Sequence, residues 1–432
     1  MKNSETAKET NENAKKRKTG RQKIICAAAV SFFALAAASC AVRIGYIWCN
    51  IPDEIFVVEG EKYKFDRFGI FSNLFSMSAR ANNDGILAPD STVAKAGGVF
   101  DADIRFAGAL DVKTVTVNVV SKSYVVPCGD IIGIKVFSDG PVIIKNGSFR
   151  TQGGALTCPA EQIPYKKGDV ISSVNGVRVK TISEFSKEID KSGGSGVMIE
   201  ILRGDKMYCT EVSPRIDADG GGYKIGLVVR DSMAGIGTLT YYCPSDGTLA
   251  ALGHGITDSD TDRIFPAGSG SMEGARVLSV VKGKRGTPGE IHGMFSGGAV
   301  GKIRSNTACG VFAEADGVQF DASKAVPVAD AAQIHEGAAT VICTVDGDGA
   351  KEFDIDIEKI MHMNENNSKG MVIHITDKRL IAATGGIVQG MSGSPIMQDG
   401  YLAGAVTHVF VNDSSRGYAI MAKTMLAQGA RD

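Results

Sequence analysis

The strongest chemical signal in the chain is a serine held between glycines near the C-terminal end. Residues 386–395 read GIVQGMSGSP, which places Ser392 directly after Gly390-Met391 and before Gly393. Small neighbours let a carbonyl carbon approach the serine oxygen, and the backbone N–H groups of Gly390, Met391 and Ser392 could stabilise a developing oxyanion. The string predicts a nucleophilic serine on a tight loop. An ordinary Gly/Ser hairpin loop is the structural alternative.

A serine hydroxyl needs a base, because it is barely nucleophilic at neutral pH. The chain has six histidines. His254 is the first choice, since the glycines on both sides of it leave the imidazole open to a cleft. His408 is the second choice, because it follows the serine on a predicted strand. His335 precedes Glu336, but position 339 is alanine, so the zinc-protease string H-E-x-x-H is absent.

The base in turn needs a group that holds its tautomer, normally a carboxylate. Asp377 ends a predicted strand fifteen positions before Ser392. Three rivals cluster close to His254 in the sequence, namely Asp258, Asp260 and Asp262. Spacing alone does not separate Asp377 from these rivals.

Neither a metal nor a cofactor is predicted. The nine cysteines include no Cys-x-x-Cys pair, and three of them, Cys26, Cys40 and Cys49, lie in or beside an apolar N-terminal segment. Disulfides and buried free thiols both remain open for the other six. The run Asp346-Gly347-Asp348-Gly349 lacks the twelve-residue spacing of an EF-hand and predicts a hairpin turn. The formal net charge of −1 gives no reason to expect a nucleic-acid partner.

The elements that must position these residues are mainly strands, with some helix. Hydrophobic residues make up 44% of the 432 residues, aromatic residues 7%, and there are 53 glycines. This composition is typical of short strands joined by tight turns. In residues 214–432 the alternation of Phe353, Ile355 and Ile357 with acidic residues predicts a strand with one wet face. We therefore expect a β-barrel or a double β-barrel there, and a small β module over residues 49–126.

Residues 127–213 resemble a PDZ domain. A strand over residues 131–136 and the string GDVISSVNG precede a predicted helix, with Ser183 as its N-cap and with Phe185 and Ile189 on one face. In PDZ domains a peptide adds as an extra strand beside a carboxylate-binding loop. The resemblance implies that this loop contains Gly129, Ile131, Ile132 and Gly133.

The N-terminal region predicts a membrane anchor. Residues 1–23 carry eight Lys/Arg and three Glu, and residues 24–42 contain no charge. Nineteen residues at about 1.5 Å per residue roughly span a hydrocarbon core of about 30 Å. The positive-inside rule then predicts a cytoplasmic tail (1–23), a transmembrane helix (24–48) and an extracytoplasmic remainder. A secretory signal peptide is the alternative, and it also exports the bulk of the chain.

Five runs of the sequence resemble the stage IV sporulation protein B serine peptidases: residues 226–237, 251–258, 283–290, 385–395 and 407–413. The predicted order of anchor, PDZ domain and terminal protease domain also matches that family. The resemblance implies a chymotrypsin-like double β-barrel with Ser392 as nucleophile, His254 as base and Asp377 as orienting acid.

The same resemblance implies a role in signalling. The enzyme would cleave its own N-terminal region and a membrane-bound regulator of an intramembrane metalloprotease, which starts processing of a sporulation sigma factor. It would act in the space between the mother-cell and forespore membranes. The alternative from another functional class is a non-catalytic, membrane-tethered PDZ adaptor that binds exposed protein termini.

Overall fold

The structure is a computed structural model. It describes residues 51, 53–58, 75–79, 99–106, 108, 110–120, 123–361 and 368–429. The predicted cytoplasmic tail and the predicted transmembrane helix (24–48) lie outside the described residues. Among the described helices, none combines the length and the apolar character that crossing a bilayer requires. The chain divides into two compact units, residues 1–122 and 123–432.

The first unit contains a four-stranded sheet. Its strands are β1 (Glu54–Val58), β2 (Phe75–Ala79), β3 (Val99–Phe106) and β4 (Leu110–Val120), in the order β1-β4-β3-β2. β1 runs parallel to β4, whereas the other neighbours are antiparallel. Val115 and Val117 are buried while the threonines beside them bond to aspartates of β3, as the period of two in this segment predicts.

The second unit is built mainly from strands, with three short α-helices among its described residues. The helices are α1 (Ile182–Lys191), α2 (Lys378–Thr384) and α3 (Ala422–Gly429). The strands follow in chain order: β5 (Tyr124–Pro127), β6 (Ile131–Asn146), β7 (Phe149–Arg150), β8 (Leu156–Thr157), β9 (Val170–Val174), β10 (Val177–Arg178), β11 (Val197–Arg203), β12 (Lys206–Val212), β13 (Arg215–Ile216), β14 (Tyr223–Lys224), β15 (Leu227–Tyr242), β16 (Thr248–Ala251), β17 (Thr257–Asp258), β18 (Arg263–Ile264), β19 (Ser269–Val281), β20 (Glu290–Thr307), β21 (Gly310–Ala315), β22 (Val326–Pro327), β23 (Gly337–Cys343), β24 (Lys351–Ile360), β25 (Met371–Ile375), β26 (Pro395–Gln398), β27 (Tyr401–Phe410) and β28 (Asp413–Met421).

Six of these strands close into a first barrel. The ladder runs β6-β19-β20-β21-β16-β15, and β15 pairs again with β6, so the ring has no free edge. Its interior is filled by side chains that alternate along the strands, including Ile132, Ile134, Val136, Leu249 and Met272.

A second barrel follows in the chain, with the closed order β23-β24-β25-β28-β27-β26. Phe353, Ile355 and Ile357 of β24 are buried in it, which confirms the predicted strand with one wet face. Two six-stranded antiparallel barrels in sequence are the architecture that the double β-barrel prediction describes. The turn over residues 346–349 joins β23 to β24, and Lys351 Nζ bonds to the carboxylates of Asp346 and Asp348.

The segment predicted to be a PDZ domain is inserted into the first barrel. β6 and β15 pair along nearly their whole length. Residues 131–137 lie in the barrel, and Val142 also pairs with Val170 of β9. We call residues 147–226, which lie between these strands, the inserted module. It has its own core, including Ile171, Val174, Phe185 and Ile199. The predicted boundary at residue 127 therefore does not coincide with the start of a separate domain.

Helix α1 belongs to the inserted module. Phe185 and Ile189 are buried on one face, as the spacing predicts. The N-cap is Thr181, whose hydroxyl accepts from the N–H of Glu184 at 3.2 Å, so the prediction of Ser183 as N-cap was wrong. The helix begins at Ile182, whose N–H donates to the Asp231 carboxylate at 2.9 Å.

Candidate active site

Ser392 lies on a tight turn that joins α2 to β26 in the second barrel. Gly390 and Gly393 have φ angles of 99° and 96°, in the region that favours glycine. A Cβ on Gly393 would lie 2.2 Å from the carbonyl oxygen of Thr238, and one on Gly390 would lie 3.0 Å from Cβ of Ile291. The glycines of the string are therefore required by the backbone path and by the close approach of the first barrel.

Two backbone N–H groups of this turn are available to a ligand. The N–H groups of Gly390 and Ser392 donate to no acceptor among the described residues, whereas the N–H of Met391 donates to the Val388 carbonyl at 3.1 Å. Two of the three predicted oxyanion donors thus remain open. This spacing, one N–H from the nucleophile and one from two residues earlier, allows both to converge on a single oxygen.

The peptide planes that carry these donors are fixed from the opposite side. The N–H of Ile291 donates to the Gln389 carbonyl at 2.8 Å, and the N–H of Ser394 donates to the Met391 carbonyl at 2.9 Å. Because a trans peptide directs its C=O and N–H to opposite sides, the bound carbonyls turn the N–H groups of Gly390 and Ser392 away from Ile291 and Ser394.

His254 follows a sharp reversal at the end of β16. Leu252 and Gly253 have φ angles of 69° and 68°. A leucine in this left-handed region is strained, and such strain is concentrated at functional sites. A Cβ on Gly253 would lie 3.0 Å from Cγ2 of Thr407, so the segment that carries His254 packs directly on β27 of the second barrel.

The structure brings Ser392, His254 and His408 together at the junction of the two barrels. The Ser392 hydroxyl donates to the Thr407 carbonyl at 2.8 Å, and the rings of His254 and His408 are 5.0 Å apart. Within the described part of the chain no hydrogen bond joins Ser392 to His254. The hydroxyl must therefore rotate away from Thr407 before it can give its proton to the imidazole. Catalytic hydrogen bonds often form only when substrate is bound.

The tautomer of His254 is set by the backbone. Its Nδ1 lies 2.9 Å from the carbonyl oxygen of Gly255. Because a carbonyl only accepts, Nδ1 carries the proton and Nε2 keeps its lone pair. A base that takes a proton through Nε2 needs this tautomer, and here the Gly255 carbonyl selects it.

Both histidines are neutral at pH 7. Burial lowers the pKa of His254 below its ordinary value, and the hydrogen bond to Gly255 opposes this only in part. Part of His408 is open to solvent, yet desolvation of its ring, with the charges of His254 and Lys369, lowers its pKa to about 4. Burial disfavours the charged imidazolium. A neutral His254 is the form that accepts a proton.

Asp377 has other partners. It is the N-cap of α2, its carboxylate accepts the N–H groups of Arg379 at 2.7 Å and Asp354 at 3.3 Å, and it pairs with the Arg379 guanidinium at 2.6 Å. These bonds hold the pKa of Asp377 well below its usual range, with Arg379 as the main cause. No contact with His254 is present among the described residues.

The sheet register explains why Asp377 and the histidines are apart. His408 and Val372 both pair with Tyr418 on β28, so they lie at one level of the second barrel. Asp377 follows Val372 by five residues, which corresponds to about 16 Å along a strand that rises about 3.3 Å per residue. Asp377 therefore lies towards the other end of the barrel.

The three rival aspartates also have other roles. Asp258 is buried and pairs with Arg230, which bonds to Asp260 at 3.0 Å as well. Asp262 lies in the turn between β17 and β18, where its N–H donates to the Asp258 carbonyl at 2.9 Å. None of them contacts His254 in the part of the chain that the structure describes. The group that orients His254 is thus a backbone carbonyl, which no spacing of acidic residues predicts.

The residues predicted to form the PDZ loop lie elsewhere. Ile131, Ile132 and Gly133 are in the first barrel, where β15 pairs with one edge and β19 begins to pair with the other. The Gly129 N–H donates to the Leu239 carbonyl at 2.9 Å, and the Gly129 carbonyl accepts the Thr344 hydroxyl at 3.0 Å. These backbone groups are already used, so a peptide cannot add as a strand here. The predicted peptide-binding position is wrong.

Parts of the chain are similar to a known protein family and to solved structures. Residues 221–426 match the sequence model of the SpoIVB peptidase S55 family. Among solved structures, the PDZ domain of an SdrC-like protein from Listeria monocytogenes is 24% identical, with 21% of this chain and 87% of that chain covered and a TM-score of 0.17. The Rv3671c protease from M. tuberculosis in its active form is 14% identical, with coverage of 46% and 74% and a TM-score of 0.28. The HtrA-type protease AlgW with a decapeptide is 14% identical, with coverage of 49% and 57% and a TM-score of 0.28. Residues 221–426, which contain both His254 and Ser392, are therefore similar to the SpoIVB peptidase S55 family, and the chain is a serine peptidase.

Proposed function

We propose that the chain is an endopeptidase in which Ser392 is the nucleophile and His254 is the general base. The observation that carries this proposal is the junction of the barrels, where the Ser392 turn, two open N–H groups and a neutral imidazole lie side by side. Asp377 is not part of this proposal, because its carboxylate is bound by Arg379 and Asp354.

The reaction begins when the Ser392 hydroxyl turns from the Thr407 carbonyl towards Nε2 of His254. His254 takes the proton as the serine oxygen attacks the peptide carbonyl carbon, and the N–H groups of Gly390 and Ser392 stabilise the oxyanion. The imidazolium then protonates the leaving amine, which leaves an acyl-enzyme. Water activated by the same imidazole hydrolyses that ester and restores Ser392.

The cellular role that we propose comes from the sequence. The basic residues 1–23 and the uncharged residues 24–42 support an N-terminal anchor with the peptidase on the extracytoplasmic side. The family match supports a sporulation role. The substrates would be a membrane-bound regulator of an intramembrane metalloprotease and the chain's own N-terminal region, and the site of action would be the space between the mother-cell and forespore membranes.

A serine-directed reagent tests the chemistry without knowledge of the substrate. Diisopropyl fluorophosphate transfers its phosphoryl group to an activated serine oxygen with loss of fluoride. We expect modification of the purified chain at Ser392 alone, no modification of Ser392→Ala, and a loss of at least about a hundredfold in His254→Gln. His408→Gln is the matched control and should stay within a few-fold of the parent.

Two results would contradict this proposal. A folded parent chain that the reagent leaves unmodified supports the non-catalytic adaptor instead. A larger loss in His408→Gln than in His254→Gln would transfer the base role to His408. The self-cleavage proposal is tested separately. The full-length parent chain in phospholipid vesicles should lose part of its N-terminal region, whereas the Ser392→Ala variant in the same vesicles should remain intact.

A further inference from the structure

Thr238 links the two halves of the site, and neither its residue type nor its place in the sequence indicates this. It lies on β15 in the first barrel and is 3% exposed. Its N–H donates to the Ser392 carbonyl at 3.0 Å, and its hydroxyl donates to the Gly390 carbonyl at 2.8 Å. Its own carbonyl accepts the N–H of Leu252, two residues before His254, at 3.3 Å.

We infer that Thr238 is a positioning residue whose hydroxyl fixes the oxyanion-binding turn of the peptidase; this inference rests on the function proposed above. The turn consists of four successive peptide groups between Gln389 and Gly393. Ile291 binds the first of their carbonyls and Ser394 binds the third. Thr238 binds the second through its hydroxyl and the fourth through its N–H, so each of the four is held.

The hydroxyl matters because the residue it holds is a glycine. Gly390 has φ 99°, and without a side chain it can rotate its peptide groups at little steric cost. The Gly390–Met391 peptide joins the two peptides that carry the N–H groups of Gly390 and Ser392. Its own N–H, that of Met391, is not one of the open donors, but a change of ψ at Gly390 or of φ at Met391 alters the angle between those two N–H groups. A hydroxyl from a closed barrel removes this freedom before substrate arrives, as preorganised stabilisation of an oxyanion requires.

A mutation at Thr238 can remove the hydroxyl and keep the hydrogen bonds of the main chain. Any residue except proline keeps the N–H and the carbonyl at position 238, whereas threonine and serine also supply the aliphatic hydroxyl. Thr238→Val keeps the shape but leaves the Gly390 carbonyl without its donor. Because Thr238 is buried behind the turn, the change should slow the chemical step and leave the binding of a reagent unaltered.

The chain offers a matched control two residues further along β15. Thr240 is also buried, at 1% exposure, and its hydroxyl has no hydrogen-bond partner within the described residues. Thr240→Val is the same chemical change in the same strand, with no hydrogen bond to lose. Thr238→Ser restores the hydroxyl and serves as the rescue.

The experiment measures inactivation by diisopropyl fluorophosphate over a range of reagent concentrations, followed by intact mass. This separates the limiting rate of reaction from the apparent affinity for the reagent. For Thr238→Val we expect a limiting rate about ten- to a hundredfold lower, with the apparent affinity within twofold of the parent. Thr240→Val and Thr238→Ser should both react within about threefold of the parent rate.

The outcomes distinguish this inference from the proposed function. A parent chain that is not modified at Ser392 overturns the proposed function and this inference with it. A reactive parent with Thr238→Val within twofold of its rate overturns this inference alone, and so does an equal loss in Thr240→Val. If Thr238→Val does not fold, Thr238→Ala and Thr240→Ala give the same comparison. Alanine removes the hydroxyl and does not place a methyl group where the hydroxyl was.

Discussion

The variant Asp377→Asn separates two accounts of the active site. If Asp377 orients His254, an asparagine there stabilises the wrong tautomer and activity falls by about 10⁴. In the structure the Gly255 carbonyl already selects the tautomer, and Asp377 binds Arg379 and Asp354. We therefore expect the rate of Ser392 modification by diisopropyl fluorophosphate to fall by less than tenfold.

The same variant should lose stability by a calculable amount. Asparagine is as good an N-cap as aspartate, so the cap on α2 remains. The Arg379 side chain is 70% exposed, and pairing with it contributes little. The charge-assisted hydrogen bonds from the N–H groups of Arg379 and Asp354 become neutral ones, which costs about 1–2 kcal/mol in the free energy of unfolding.

The pH dependence of that loss has a defined sign. The pKa of Asp377 is lowered in the folded chain, so its contribution is complete above the unfolded-state value of about 3.9. It is lost as the pH falls through the folded value. The difference in unfolding free energy between parent and variant, measured by urea titration at pH 7 and at pH 3, should therefore shrink at pH 3. A stability equal to that of the parent at pH 7 together with a loss of about 10⁴ in rate would refute this reasoning and return Asp377 to the catalytic unit.

Three further predictions follow from the site and the fold. The rate of Ser392 modification should fall to half its maximum at a pH below 6.5, because burial lowers the pKa of His254 and only the neutral ring accepts a proton; a midpoint above 6.5 in a pH–rate profile contradicts this. Gly393→Ala should lower that rate at least about a hundredfold and the free energy of unfolding by about 2 kcal/mol or more. The reason is that the new Cβ would lie 2.2 Å from the Thr238 carbonyl oxygen and that φ at this position is 96°. Unchanged kinetics and an unchanged melting temperature would contradict the close approach of Gly393 to Thr238. Replacement of residues 148–225 by a short turn should leave a folded, reactive double barrel, because Asn146 and Leu227 pair across the point of deletion. Removal of residues 127–213 should instead abolish folding, because it deletes strand β6 of the first barrel. Circular dichroism and thermal melting measure folding in both variants.

The sequence predicts those features of the site whose requirements are local. The Ser392 turn requires small residues, so glycines surround this serine in the sequence. The sharp reversal of the chain before His254 likewise requires glycine beside this histidine. Likewise, the alternation of Phe353, Ile355 and Ile357 with polar residues predicts a strand, because side chains in a barrel wall are buried at every second position.

Features that depend on distant partners are not visible in the same way. The spacing of Asp377 from Ser392 does not indicate that the Asp377 carboxylate pairs with the guanidinium of Arg379. Thr238 lies in an ordinary strand, and its importance comes from a turn about 150 residues later, a separation that no local pattern encodes. The string that resembles a PDZ loop was misassigned because one strand, β6, serves both the barrel and the inserted module.

The paired strands β6 and β15 also join the inserted module to the first barrel without a loop between them. β15 leaves the inserted module at Leu227 and reaches Thr238 without a break in the strand, a span of eleven residues or about 36 Å. The register with β6 is irregular at two points of this span, between Val228 and Val229 and between Arg230 and Ser232. The inserted module and the residue that binds the Gly390 carbonyl therefore share one continuous strand, with no flexible linker between them.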